Sequence, residues 1–227
     1  MNKSQKLDFL VLILLALVAI PVVVFWHTRF LTSAFIFLGI PSIYLIWRKT
    51  QNLKIVFSGV FLVGVLLGFV FDFLATLNNA WLIPDEQLII PYRVFGSAPV
   101  DELICLILWS LLMFLVYENF YERKRIERLH IKHFIYSGII PAFLSVAFIV
   151  TVFFIKPSLL SFEYAYLVLG VLASVPMIYF FFQEPKALRR VIKAAPYFIF
   201  LFFVFELTSL YLQQWSFPGQ YIGYFQL

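Results

Sequence analysis

Four carboxylates stand out by where they sit. Asp72, Asp101, Glu102 and Glu206 each lie in, or at the edge of, a long run of apolar residues. An ionisable side chain at that depth in a bilayer is costly, and it is tolerated when it faces a cavity or a partner. Burial favours the neutral form of a carboxyl, so such a group can hold a proton near neutral pH and act as an acid. A structural role is the alternative for Asp72 and Glu206, as a hydrogen bond or ion pair that ties helices together. Asp101 follows Pro99 and falls in a first helical turn, where an acid complements the helix dipole. Adjacent helical residues point about 100° apart, so only one of Asp101 and Glu102 enters a shared pocket. Trp81 and Trp215 each stand nine residues beyond an acid, with Pro84 and Pro218 three residues further on. Each tryptophan is either an interfacial anchor or an aromatic wall able to stabilise a cation.

Other chemistry finds little footing. His130 and His133 have an i, i+3 spacing but sit among basic residues without nearby acids, so no metal site is expected there. Gly64 and Gly68 form a GxxxG, expected to be a close helix-packing face. There is no GxGxxG or P-loop, and hence no nucleotide fold. The single cysteine, Cys105, excludes an intramolecular disulfide and a cysteine-based metal cluster.

The elements that must position the acids follow from composition. Of the 227 residues, 63% are hydrophobic and 13% charged, with a mean hydropathy of +0.96. A soluble domain carries about 45–50% apolar and about 25% charged residues, so a soluble enzyme or nucleic-acid binder is excluded. The apolar stretches are continuous rather than alternating, which excludes a porin-like barrel. The expected fold is all-α, a polytopic membrane bundle of about seven helices near 7–26, 30–47, 55–76, 99–119, 134–155, 163–182 and 195–213. The first of these is expected to be a retained helix rather than a cleaved signal. With the N-terminus inside, 14 of the 17 Lys and Arg residues fall on the inner side, and only Arg29, Arg93 and Lys156 on the outer. That asymmetry obeys the positive-inside rule. It explains the net charge of +5 as a topology signal in the cytoplasmic (plasma) membrane. On this topology all four acids lie in the outer half.

The chain also repeats itself. Phe71-Asp72 matches Phe205-Glu206, Trp81 matches Trp215 and Pro84 matches Pro218, all at an offset of 134. Pro41-Ser42-Ile43-Tyr44 matches Pro176-Met177-Ile178-Tyr179 at an offset of 135. Residues 1–128 are expected to form a first unit of four helices and residues 129–227 a second of three. Both units start inside, so the repeats are parallel, an arrangement in which sites lie at the repeat interface. A counterpart of Pro99-Val100-Asp101-Glu102 would begin near position 233, whereas the chain stops at Leu227. Truncation and loss of an eighth helix both account for this.

The series Phe71-Asp72-Phe73-Leu74-Ala75, then Trp81, then Pro99-Val100-Asp101-Glu102-Leu103 resembles the motifs of the small membrane lycopene cyclases. These occur as two-subunit enzymes or as fused, internally repeated chains. Phe205-Glu206-Leu207-Thr208, followed by Trp215-Ser216-Phe217-Pro218-Gly219-Gln220-Tyr221, looks like a second copy. The resemblance spans nearly the whole chain. It implies a redox-neutral isomerase or intramolecular lyase that cyclises the linear ends of lycopene or a related carotenoid, without cofactor or metal. By this resemblance Glu102 or Asp101 donates the proton, and Asp72 and Glu206 are partners or bases. Trp81, Trp215 and Tyr221 would line the substrate. Two departures stand out: Asp101 replaces the first Glu of the Pro-x-Glu-Glu motif, and the second copy of that motif is missing. The implied partners are a membrane-dissolved carotenoid and either a second cyclase-like subunit or another copy of the chain, with no nucleic acid. A carotenoid hydratase, or a membrane protein that transports or binds lipid or protons, is the competing expectation.

Overall fold

The computed structural model describes residues 3–48, 52–121, 139–183 and 185–218. Seven helices account for most of them: α1 Lys3–Phe25, α2 Phe30–Trp47, α3 Leu53–Leu77, α4 Val100–Phe120, α5 Ile140–Ile155, α6 Ala165–Gln183 and α7 Pro185–Tyr211. Five stretches are long and apolar enough to cross a membrane, namely α1 to α4 and Leu188–Tyr211 within α7. The apolar parts of the other two, Ile140–Ile155 and Ala165–Ser174, are shorter than a full span. The class is therefore all-α, as expected, and among the described residues five of the seven helices are long and apolar enough to cross a membrane. The beginning of the segment expected at 134–155 lies outside the described residues, as do His130, His133 and Tyr221.

The last helix differs most from expectation. The last apolar segment is expected over 195–213, whereas the described helix α7 covers Pro185–Tyr211 and carries Pro196 in its interior. An interior proline is tolerated in a membrane helix when neighbouring groups satisfy the freed carbonyl. α1 likewise carries Pro21 in its interior.

Burial shows how the helices assemble. In α1 the buried residues Gln5, Asp8, Leu12, Ala16, Ala19 and Val23 recur every three or four positions, which is one helical stripe. That stripe meets α2 and α7, while α4 runs along both α2 and α3, and α5 and α6 pack on α3. At the N-terminal end, Asp8 cross-ties α1 to α2. Its Oδ1 accepts from Tyr44 Oη and from Arg48 Nε, both at 2.7 Å, and Arg48 Nη2 also donates to Ser4 Oγ at 2.8 Å.

α3 and α4 approach closely through glycine. A Cβ on Gly64 would stand 3.0 Å from Ser110 Oγ and 3.1 Å from Ile107 Cα, and one on Gly59 would meet the Phe114 ring at 2.7 Å. Gly59 and Gly64 are five residues apart, which in a regular α-helix would turn them about 140° away from each other. The π-helical stretch Phe61–Leu67 widens the turn between them and brings both, with Gly68, onto α4.

The chain leaves α3 and α7 through turns built alike. Asn79 and Gln213 both adopt a left-handed φ of 54°. After α3, the N–H groups of Asn78, Asn79 and Ala80 donate to the carbonyls of Leu74, Thr76 and Ala75. After α7, those of Leu212, Gln213 and Gln214 donate to Thr208, Leu210 and Ser209. Both are Schellman-type endings, which satisfy the last helical carbonyls. The two segments then pair with each other, as Leu82 and Ser216 exchange N–H···O bonds of 2.9 Å in both directions.

Between α3 and α4 the chain forms an ordered cover. It contains a short 3-10 turn, Asp85–Gln87, and a small hairpin of β1 Arg93–Val94 with β2 Ala98–Pro99, in register Arg93↔Pro99 and Val94↔Ala98. Phe95 at the hairpin tip packs its ring against Phe73 of α3 and against Phe153 and Phe154 of α5.

Candidate active site

α3 and α4 bring two of the four acids together. Asp72 lies five residues before the end of α3 and Glu102 is the third residue of α4. At 1.5 Å per residue Asp72 stands roughly 8 Å inside the end of α3, and Glu102 stands in the first turn of α4 beyond the cover. Asp72 is fully buried. Its Oδ1 lies 3.4 Å from the Thr76 hydroxyl, which donates mainly to the Asp72 carbonyl at 2.8 Å. The Asp72 and Glu102 carboxyls and the Trp81 indole interact with one another. Yet Asp72 Oδ2, Trp81 Nε1 and Glu102 Oε2 are all shielded from solvent and have no partner in good hydrogen-bond geometry. Three shielded polar atoms so close together make a polar cluster inside an otherwise apolar interior.

No family model matches the chain, and neither a curated protein nor a solved structure matches it. The arrangement therefore has to be read on its own chemistry.

The walls of this site are apolar and aromatic. Trp81 packs against Phe71 at 5.6 Å and meets Tyr166 of α6 edge-on at 5.8 Å. Cys105, one turn beyond Glu102 on α4, is buried and close enough to feel both carboxylates. Arg93 of the hairpin is close enough for its charge to act on both. Its guanidinium is already engaged, donating to Asp85 Oδ1 and to the Ile83 carbonyl, both at 2.7 Å.

Asp101 points elsewhere. Its two oxygens accept from the backbone N–H groups of Ile89 (2.6 Å) and Ile90 (3.1 Å) in the cover. The divergence of about 100° expected for adjacent helical residues thus separates Glu102, beside Asp72, from Asp101, beside the loop.

Glu206 and Trp215 form a second, simpler centre. Trp215 Nε1 donates to Glu206 Oε1 at 3.2 Å, and the indole packs on Phe205 and Phe30, both at 5.3 Å. No other described carboxylate interacts with Glu206, which is only partly buried. Tyr166 connects the two centres, since it touches Trp81 and feels the charge on Glu206. Alongside, Gln214 is fully buried and donates to the Thr28 carbonyl at 2.6 Å and to Ser33 Oγ at 2.7 Å.

Asp72, Glu102 and Trp81 were singled out from sequence and converge. Glu206 and Trp215 pair separately, and Tyr221 lies outside the described residues. Sequence reasoning did not find Cys105 or Tyr166 as members of the site. Cys105 stands i+3 from Glu102, a spacing that places both on one helix face and was available as a signal; for Tyr166 no comparable signal exists. Among the described residues, no group of three or more His, Cys, Asp or Glu side chains is placed to hold a metal ion.

Proposed function

We propose that the chain is a carotenoid cyclase that closes the linear ends of lycopene or a related carotenoid without a cofactor. The observation that carries this reading is the convergence of Asp72, Glu102 and the Trp81 indole, each with an unpartnered buried polar atom, inside an apolar bundle. Glu102, protonated, transfers its proton to the terminal double bond. The resulting tertiary cation is attacked by the neighbouring alkene, closing the ring and moving the positive charge within it. Loss of a ring proton to the Asp72 carboxylate restores a double bond, and exchange between the two carboxyls returns the proton to Glu102. Atoms and electrons balance, and no oxidant or reductant is required. The Trp81 face supports the cation, and exclusion of water keeps it from being quenched.

The same reading takes the chain as two parallel units, 1–128 and 129–227, in a plasma-membrane protein with its N-terminus inside. The like-built turns after α3 and α7 and the pairing of Leu82 with Ser216 support it, because every matched position differs by 134. Antiparallel pairing of equivalent residues is what a two-fold axis between units produces.

Expression of the full chain in bacteria that accumulate lycopene, followed by pigment chromatography, tests the activity. Cyclic ends are expected. Unchanged lycopene alongside a folded, membrane-inserted chain overturns the proposal, and hydroxylated acyclic ends would identify a hydratase instead.

A further inference from the structure

The cover between α3 and α4 is tied down at more points than a connection requires. Ile89 and Ile90 are held by both oxygens of Asp101. Arg93 joins the beginning of the cover to its hairpin, donating to the Ile83 carbonyl at 2.7 Å and the Ser97 carbonyl at 3.3 Å, and its 2.7 Å ion pair with Asp85 fixes the guanidinium. Arg29 reaches across from the start of α2 to the Leu88 carbonyl at 3.3 Å. Under these ties Ile83, Leu88 and Ala98 are buried, as is the site beneath.

We infer that Asp101 and Arg93 are positioning residues that clamp residues 82–99 as a fixed cover over the Asp72–Glu102 pair and keep water from it. Neither touches the reacting atoms. Asp101 acts through two backbone amides and through the first turn of α4, which it shares with Glu102. Arg93 spans both ends of the cover. The purpose assigned to the clamp, protecting a carbocation from water, rests on the cyclase reading. The clamp itself does not.

The native thiol of Cys105, the single cysteine of the chain, reports on the cover without engineering, because it is buried one turn beneath Glu102. The full-length protein in lipid nanodiscs, with both faces accessible, is treated with a water-soluble polyethylene-glycol maleimide. Wild type should resist labelling over a period in which the denatured chain reacts fully. Asp101→Ala and Arg93→Ala should label about tenfold faster or more, since losing a charge-assisted hydrogen bond raises the open population by that order. Asp101→Asn keeps one acceptor and should fall between. Labelling of wild type at the denatured rate overturns the clamp. So does wild-type protection in Asp101→Ala and Arg93→Ala proteins that still elute as folded particles. If the alanine variants do not fold, Asp101→Asn and Arg93→Lys decide it, with unchanged protection in both counting against. Labelling needs no carotenoid, so a clamp that responds as described in a chain that does not cyclise lycopene refutes the cyclase reading alone.

Discussion

Asp101 and Glu102 are neighbours in sequence with unlike surroundings, and the difference lies in what their oxygens face. Both Asp101 oxygens accept backbone hydrogen bonds, whereas Glu102 Oε2 is shielded and unpartnered next to Asp72. The proton donor of the proposed reaction is therefore Glu102. Glu102→Gln keeps the shape of the side chain and removes the acid, so cyclised product should fall at least about 100-fold, the lower range for a lost general acid. The protein should remain folded, because an uncharged amide is no harder to bury beside Asp72 than a carboxyl. Quantifying cyclic and acyclic pigment per unit of folded protein checks this, and undiminished product would remove Glu102 from the role. Depth in an apolar run was enough to mark Asp72, Glu102 and Glu206 from sequence. Asp8 escaped the same test because it lies close to the charged start of α1. Its meaning depends on Arg48 and Tyr44, some forty residues away, which only the packing of α1 on α2 brings to it. The same holds for Tyr166: nothing in its local sequence says that α6 sets it between Trp81 and Glu206.

Among the elements, the contact between α3 and α4 controls the site, since each helix contributes one acid of the pair. The GxxxG at Gly64 and Gly68 was legible as a packing face. The third glycine, Gly59, was not, because a five-residue spacing places it off that face unless the helix widens into a π turn, and no sequence rule announced that turn. A leucine at position 64 would have to drive Ser110 and the Ile107 backbone away. Gly64→Leu should therefore destabilise the protein by about 1–3 kcal/mol or more, the range for overpacking, and pull Asp72 and Glu102 apart. Gly170 of α6 provides the control, because a Cβ there meets nothing within 4 Å. Thermal unfolding in one detergent should show a lower midpoint for Gly64→Leu and an unchanged or slightly higher one for Gly170→Ala, given alanine's better helix propensity. Equal midpoints in the two variants would mean that the glycine face does not hold the helices together. Helix ends were legible where hydropathy falls sharply, as at Phe30 and Trp47. They were misread at α7, whose basic first turns continue the helix while lacking the apolar signal.

At the scale of the molecule, the contacts exchange in a regular way. α1 packs on α7 and α5 packs on α3, so the first helix of each proposed unit lies against the third helix of the other. An offset of 134 was visible in four matched residues, but sequence alone could not reveal that the matched segments touch. That contact comes at Leu82 and Ser216, equivalent residues that exchange two backbone hydrogen bonds. In an antiparallel pair of this kind the Cα atoms lie about 5.5 Å apart, within the span a disulfide bridges. With Cys105 changed to serine, Leu82→Cys and Ser216→Cys together should form a disulfide under mild oxidation. A protease site inserted after residue 128 makes the bond visible, because cleavage should leave the two halves joined until a reductant is added. Leu82→Cys paired with cysteine at Tyr211, before the turn, should not bridge. If the 82–216 pair fails to cross-link while the protein stays folded, the two turns do not meet, and the two-fold arrangement of units 1–128 and 129–227 falls with them.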